Sequence, residues 1–169
     1  MKRIAKFEKV SFEQFSEVWK DTYGEDAGAQ AAYDAIKLPK RATTGSAGYD
    51  FYAVNDICLK PGETAKIPTG IRVKIDEGWV LKIYPRSGLG FKFRLQLNNT
   101  VGIIDSDYYY SDNEGHIFIK ITNDSNEGKT VSIKQGDGFA QGIFVEYGIT
   151  IDDEVTEIRN GGFGSTTGK

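Results

Sequence analysis

The chain has 169 residues, of which 39% are hydrophobic and 27% charged, and its formal net charge is −3. This length fits one domain with a sizeable core, and the negative charge argues against a nucleic-acid-binding surface. The single cysteine, Cys58, cannot form an internal disulfide, and no apolar run reaches the roughly 18 residues that span a membrane. The sequence therefore predicts a cytoplasmic protein without a nucleic-acid or membrane partner. One cysteine and one histidine, His116, also exclude a clustered zinc site and Cys–His catalysis.

The N-terminal part begins with a strand and continues as a helix. Residues 4–10 alternate weakly, which predicts an edge strand. The next stretch, "SFEQFSEVWK", opens with a capping box from Ser11 to Gln14. Three aromatic residues share one face of this helix: Phe12, Phe15 and Trp19.

A second helix is expected after a turn near Gly24. The stretch "AQAAYDAIK" is rich in alanine and stops before Pro39, as helices tend to do. Residues 11–37 are therefore predicted to be a helical insertion and the only clearly helical part of the chain.

From residue 38 onward the sequence predicts strands. Short runs of β-branched and aromatic residues are separated by Gly, Pro, Asn and Asp at roughly 8–12 residue spacing. This rhythm is typical of an all-β sandwich or barrel with Greek-key or jelly-roll connections, in a single domain of residues 1–169. Cys58, in the apolar run "DICLK", is expected in the core. The predicted strand runs are "TAKIPTG", "GIRVKI", "WVLKIYP", "LQLNNTVGII", "HIFIKIT", "TVSIK" and "GFAQGIFV".

Five segments place glycine, an acid or a hydroxyl at turns, where sites are usually built. In "GSAGYDF" (45–51), Asp50 reaches a strand edge, where it could hold metal-bound water or simply close an Asx turn. In "YPRSGLG" (84–90), the Arg86 guanidinium, a hydroxyl and a free glycine amide suit an anion, although a plain turn fits equally well.

The third segment is "NNTVGIIDSDYYYSDNEG" (98–115). Its apolar strand delivers Asp105, and a carboxylate held in this way can act as a general base toward water. Tyr108 follows three residues later. It could pack on a sugar or join Tyr109 and Tyr110 in ordinary surface packing.

The last two segments are "GDGFAQG" (136–142) and the C-terminal "RNGGFGSTTGK" (159–169). The former offers Gln141 as a neutral hydrogen-bonding group. The latter is not a phosphate-binding P-loop, because position 163 would have to be glycine and is Phe163. Its glycines predict flexibility on both sides of this phenylalanine.

In this order the five segments resemble motifs I to V of the trimeric all-β dUTPases, the deoxyuridine triphosphate nucleotidohydrolases. The matching stretches are "AGYDF", "PRSGLG", "VGIIDSDY", "GDGFAQ" and "GGFGSTTG", and the resemblance covers residues 38–169. It implies a distorted jelly-roll or β-barrel of the dUTPase-like β-clip type, assembled as a homotrimer with active sites between subunits. It also implies hydrolysis of dUTP to dUMP and pyrophosphate, which limits uracil incorporation into DNA and supplies dUMP for dTTP synthesis.

The resemblance also implies the roles of individual residues. Asp105 would orient a water that attacks the α-phosphorus, while Asp50 and Gln141 would hold outer-shell waters of Mg²⁺. The implied catalytic residues are Asp105, Asp50 and Arg86. The implied substrate-binding residues are Arg86, Ser87, Gly88, Asn99, Gly102, Ile103, Ile104, Asp105, Tyr108, Phe118, Gln141, Arg159, Phe163, Gly164, Ser165 and Thr166.

In this scheme the hairpin at 99–104 reads uracil, and the backbone near Phe118 also contacts the base. Tyr108 packs under the deoxyribose and leaves no room for a 2′-hydroxyl. Residues 159–169 form a flexible C-terminal lid that stacks Phe163 on uracil and brings Arg159, with a serine and a threonine, to the γ-phosphate.

Three features of the sequence depart from the pattern of the family. Gly138 stands where a basic residue is usual, residues 109–114 enlarge a loop, and Arg159 is one residue closer to the glycine pair than expected.

Two other functions remain open. A dCTP deaminase, or a bifunctional deaminase–dUTPase, would need a glutamate where the sequence has Lys120. A dUTPase-fold protein with an added regulatory role would use 11–37 or 109–114 to bind a subunit or another protein. The helices could equally well cap the chain's own core.

Overall fold

The computed structural model describes residues 1–161, which fold mainly into strands. Across this range the strands form four open sheets and no closed barrel. The strands are β1 (Ala5–Lys9), β2 (Lys40–Arg41), β3 (Tyr49–Tyr52), β4 (Ile57–Leu59), β5 (Thr64–Pro68), β6 (Ile71–Ile75), β7 (Trp79–Pro85), β8 (Leu95–Leu97), β9 (Gly102–Ile104), β10 (Phe118–Asn123), β11 (Val131–Ile133) and β12 (Gly138–Glu146).

The largest sheet has five strands in the order β2-β3-β12-β7-β9. A second sheet, β5-β10-β8, has three strands, and the pairs β1-β6 and β11-β4 complete the fold. All these pairs are antiparallel, and the buried sides of the strands share one core. The largest fully buried side chains that the five-stranded sheet contributes to it are Phe51, Leu81, Ile83 and Phe139.

The predicted first strand and first helix are both present. Helix α1 (Phe12–Tyr23) begins at Ser11, whose side chain accepts a hydrogen bond from the Gln14 N–H at 3.2 Å. It ends at Gly24, whose φ of 78° allows the left-handed cap. The reciprocal half of the capping box comes from elsewhere in the chain, because Glu114 Oε2 accepts the Ser11 N–H at 2.7 Å.

The aromatic face of α1 packs on the core of its own chain. Phe15 and Trp19 are buried, while Phe12 lies at the margin and is 37% exposed. The face that suggested a protein contact is therefore largely covered by the chain itself. Helix α2 (Ala29–Asp34) is shorter than predicted, since 35–37 leave the helix before Pro39.

The expectation that 11–37 holds the only helices is wrong. Helix α3 (Ser87–Phe93) and a short 3-10 helix (Ser106–Tyr110) lie within the β region. The sequence "SGLGFKF" hid α3 because glycine is a poor helix former, and because a helix of seven residues has only one apolar pair at helical spacing, the partly buried Leu89 and Phe93.

The prediction that Cys58 lies in the core is also wrong. It lies on β4 between the buried Ile57 and Leu59, so the alternation of the strand turns its thiol outward. The run "LQLNNTVGII" is likewise two strands, β8 and β9, separated by a turn in which Thr100 has a φ of 66°.

Within residues 1–161, no helix is both long and apolar enough to cross a membrane.

Candidate active site

A cavity of about 740 Å³ opens beside the turn between β8 and β9. We call it the hairpin cavity. Predicted site residues that line it are Asn99, Gly102, Ile103, Ile104, Asp105, Tyr108, Phe118 and Arg159. The other lining residues are Lys66, Ile83, Leu97, Asn98, Val101, Ile119 and Lys120.

Asp105 lies at the rim of this cavity, directly after β9. Its Oδ2 accepts a hydrogen bond from Arg159 Nη2 at 2.5 Å, and Arg159 Nε donates to Asp107 Oδ1 at 2.8 Å. The arginine side chain is only 17% exposed, so it lies between the two carboxylates rather than in solvent. In this conformation the Arg159 guanidinium is hydrogen-bonded to Asp105, the predicted general base. Its predicted contact with a γ-phosphate stays a prediction.

Tyr108 forms part of the cavity wall and is 5% exposed. Its hydroxyl donates to the His116 carbonyl at 2.6 Å and accepts from Asn113 Nδ2 at 2.8 Å. Burial raises the pKa of the phenol above its usual value, although the hydrogen bond from Asn113 lowers it. The hydroxyl therefore stays protonated near neutral pH and can keep donating to the carbonyl.

Phe118 lines the same cavity from β10. The Lys66 ammonium lies 4.6 Å from the centre of its ring, and the His116 ring lies 4.5 Å away on a tilted stack. Lys66 and Lys120 are direct partners in the β5–β10 register, so two cations face each other along this wall. Like charges placed opposite each other are unfavourable unless solvent or an anion screens them.

Asp50, Arg86 and Gln141 come together at a second place, which we call the Asp50 group. Arg86 Nε lies 3.3 Å from Asp50 Oδ1, and Asp50 and Gln141 are direct partners in the β3–β12 register. Gln141 Nε2 donates to the Pro85 carbonyl at 3.1 Å, which fixes the amide beside the end of β7. Three residues predicted from separate motifs are therefore neighbours.

Gly138 makes room for the arginine of this group. Arg86 Nη1 donates to the Gly138 carbonyl at 3.2 Å, and a Cβ at position 138 would lie 2.7 Å from that nitrogen. Position 138 has no basic side chain of its own, but the Arg86 guanidinium lies against its backbone.

Ser87 and Gly88 stand in the first turn of α3, with Arg86 as its N-cap. N–H groups in the first turn of a helix have no partner within the helix, and they suit an anionic oxygen. The structure therefore puts these two residues on a helix beside Arg86 rather than in the predicted turn, and their binding of an anion stays a prediction.

The hairpin cavity and the Asp50 group are separate within one chain. None of Asp50, Arg86 or Gln141 lines the cavity. Ile83 and Arg86 stand three residues apart around the end of β7, so this segment contributes to both places. The predicted residues Phe163, Gly164, Ser165 and Thr166 lie outside the described residues.

Lys66 was not predicted as a site residue. It belongs to a plain alternating strand, and only the pairing of β5 with β10 brings it to the cavity. Asn113 was missed as well, because its role depends on a contact with Tyr108 rather than with the cavity.

The Asp50 group has oxygen donors that suit Mg²⁺. Within residues 1–161 no cluster of three or more His, Cys, Asp or Glu side chains could hold an ion. Mg²⁺ does not need such a cage, because it keeps several waters and commonly binds through one or two carboxylates and substrate phosphates. One carboxylate beside one amide therefore fits outer-shell binding.

Comparison with known proteins identifies the family. A model of the dUTPase family matches residues 34–167. The deoxyuridine 5'-triphosphate nucleotidohydrolase of Lactococcus lactis is 44% identical over 134 residues, which cover 78% of this chain and 88% of that protein. The protein of the same name from Finegoldia magna is 45% identical over 137 residues, which cover 76% and 90%.

Solved structures agree with this result. The dUTPase from Streptococcus mutans has a TM-score of 0.61 at 36% identity and covers 71% of this chain and 91% of its own. A dUTPase of phage phi11 of S. aureus, whose structure describes a structural Mg(II) ion, has a TM-score of 0.64 at 23% identity and covers 92% and 98%. The latter similarity shows the fold alone.

The protein is thus an all-β protein of the jelly-roll-like type, as predicted, with its strands in open sheets. The chain belongs to the dUTPase family.

Proposed function

We propose that this protein hydrolyses dUTP to dUMP and pyrophosphate, which limits uracil in DNA and supplies dUMP. The observation that carries the proposal is Asp105, a carboxylate held at the rim of a cavity that Tyr108 and the 99–104 turn enclose. Membership of the dUTPase family gives the nucleotide that this cavity would accept.

Asp105 acts as the general base. Its carboxylate takes a proton from a water, and the water oxygen attacks the α-phosphorus while the bond to the pyrophosphate oxygen breaks. Arg159 is bonded to Oδ2 of this carboxylate, so in this conformation the water is held by the other oxygen, Oδ1. The phosphates are bound by the Arg86 guanidinium, the Ser87 hydroxyl and the first-turn amides of Ser87 and Gly88.

Asp50 and Gln141 would hold Mg²⁺ through its outer-shell waters. The bound ion would neutralise phosphate charge. Arg86 is already paired with Asp50, so the group offers a cation of its own beside the expected position of the phosphates.

Recognition of the base and sugar belongs to the hairpin cavity. The backbone of Gly102, Ile103 and Ile104, with the Asn99 side chain, reads uracil, and the backbone at Phe118 completes the contact. Tyr108 packs under the deoxyribose. Residues 159–169 close over the nucleotide as a lid, with Phe163 on the uracil face and Arg159, Ser165 and Thr166 toward the γ-phosphate.

The assembly is proposed to be a homotrimer with each site built from several chains. The separation of the Asp50 group from the hairpin cavity supports this, because a nucleotide must meet both. The location is proposed to be cytoplasmic, in line with a single, unpaired cysteine.

The decisive experiment is pyrophosphate release from dUTP, dCTP, dTTP and UTP with magnesium. We expect selective turnover of dUTP that is abolished by Asp105→Asn and unaffected by Asp124→Asn, a surface carboxylate paired with Arg94. Equal turnover of all four nucleotides, or full activity of Asp105→Asn, would refute the assignment.

Deamination of dCTP is not proposed. The residue that would need to be a glutamate is Lys120, which lines the hairpin cavity and carries no proton acceptor when charged. Ammonia release from dCTP should therefore stay at background.

A further inference from the structure

The hydroxyl group of Tyr108 is hydrogen-bonded to the enlarged loop of residues 109–114. The Asn113 amide donates to this hydroxyl at 2.8 Å, while its own Oδ1 accepts the Gly115 N–H at 3.1 Å. The same hydroxyl donates to the His116 carbonyl at 2.6 Å. One asparagine thus connects the loop backbone to the ring that forms the cavity wall.

The loop returns very closely onto the tyrosine. Gly115 has a φ of 69°, and a Cβ there would lie 2.7 Å from both the Tyr108 carbonyl oxygen and Tyr109 Cα. Glu114, just before it, also has a positive φ of 59°. Two consecutive left-handed residues make the sharp turn that places the Asn113 side chain under the Tyr108 hydroxyl.

Helix α1 anchors this loop from the other side. Glu114 accepts the Ser11 N–H at the start of the helix. The His116 ring lies 6.4 Å from the Phe15 ring and 4.5 Å from the Phe118 ring, and its Nε2 accepts the Gly70 N–H at 2.9 Å. The helical insertion, the enlarged loop and two walls of the cavity are thus in continuous contact.

We propose that Asn113 is a positioning residue for sugar selection, and that α1 supports it through Glu114. This inference rests on the proposed hydrolysis of dUTP. A ring excludes a single hydroxyl from the sugar by steric contact only if it cannot tilt or retreat. Asn113 does not line the hairpin cavity, so it acts on the sugar through Tyr108 alone.

The readout is the ratio of kcat/KM for dUTP to kcat/KM for UTP. Asn113→Ala should lower this ratio about tenfold, as expected for the loss of one hydrogen bond. Asn113→Asp keeps an acceptor for the Gly115 N–H but offers Tyr108 an acceptor in place of a donor, so the hydroxyl can no longer bond to position 113 and the His116 carbonyl together. The ratio should fall to a similar extent while the loop stays folded. Glu114→Gln should lower the ratio less than Asn113→Ala does, because glutamine keeps an acceptor for the Ser11 N–H.

A double-mutant cycle separates positioning from general loss of stability. In a Tyr108→Phe background the hydroxyl is gone, so Asn113→Ala should have little further effect on the ratio. The matched control is Asn55→Ala, which breaks another Tyr–Asn hydrogen bond, from Tyr23 at 3.0 Å, away from the hairpin cavity. That variant should keep the wild-type ratio.

The two proposals fail in different ways. A wild-type protein that does not turn over dUTP would refute the proposed function. A wild-type protein that prefers dUTP, with an unchanged ratio in both Asn113→Ala and Asn113→Asp, would overturn the role of Asn113. An equal effect of Asn113→Ala with and without the Tyr108 hydroxyl would overturn it too.

Discussion

His116 is fully buried, and this burial, together with the nearby Lys66 charge, lowers its pKa from 6.5 to about 3. The imidazole is therefore neutral in the folded protein, with Nε2 as the acceptor for the Gly70 N–H. In the unfolded chain it takes up a proton below about pH 6.5. Between these two pKa values the unfolded state binds more protons, so the free energy of unfolding falls as the pH falls.

His116→Gln should remove this pH dependence, since glutamine offers an acceptor but does not titrate. From pH 7 to pH 5 the wild-type protein should lose roughly 2 kcal/mol more of its free energy of unfolding than the variant loses. Urea unfolding at the two pH values measures the difference. Parallel losses in both proteins would show that His116 is not buried as a neutral group.

A second residue-scale prediction concerns Gly115. Gly115→Ala combines a positive φ with backbone contacts at 2.7 Å, so the free energy of unfolding should fall by about 2 kcal/mol or more. Gly128→Ala is the matched control, because Gly128 has a similar φ of 72° and nothing within 4 Å of a Cβ. It should lose only about 1 kcal/mol. Thermal or urea unfolding compares them, and equal losses would contradict the close approach.

Among the secondary-structure elements, α1 depends on its first residue. Ser11→Ala removes the hydroxyl that accepts the Gln14 N–H, and it should cost about 1 kcal/mol. Ser16→Ala removes an exposed hydroxyl that donates to the Glu13 carbonyl, and the expected change is within about 0.5 kcal/mol. Urea unfolding distinguishes the two variants, and an equal cost would argue against the cap.

Local signals predicted the elements that carry a regular pattern. Ser11 and Gly24 mark the ends of α1 correctly because a cap is a property of a few adjacent residues. Cys58 was misplaced because a three-residue strand is too short to show its period of two. Helix α3 was missed because it is short and contains two glycines.

The site follows the same division. Asp105 and Tyr108 could be predicted because they are only three residues apart, within one short motif. Lys66 could not, because only the register of β5 against β10 brings it to the cavity. The contact of Arg86 with the Gly138 backbone likewise joins residues 52 positions apart.

At the scale of the whole molecule, the proposed shared sites can be tested by mixing two inactive variants. Asp105→Asn disables the base at the hairpin cavity, and Arg86→Ala disables the Asp50 group. If different chains supply the two parts, trimers re-formed from both variants should recover part of the dUTP turnover. Each variant alone is the control, and a mixture as inactive as its components would contradict shared sites.

The segment after β12 offers another test of assembly. Its apolar side chains are largely exposed in the single chain, with 75% exposure at Ile149 and 108% at Ile151. Other exposed apolar side chains of this segment are Tyr147, Val155 and Ile158. Exposed apolar surface of this kind is typical of an interface. Ile149→Glu with Ile151→Glu should therefore lower the molar mass measured by light scattering, whereas Glu157→Gln should not. An unchanged mass would contradict the proposed interface.

The placement of β7 has one more consequence. Ile83 reaches the hairpin cavity, and Arg86, three residues later, reaches the Asp50 group. In the proposed trimer these two places would serve different nucleotides, so the segment formed by β7 and Arg86 would take part in two catalytic centres. Neighbouring centres would then share one strand of the same chain.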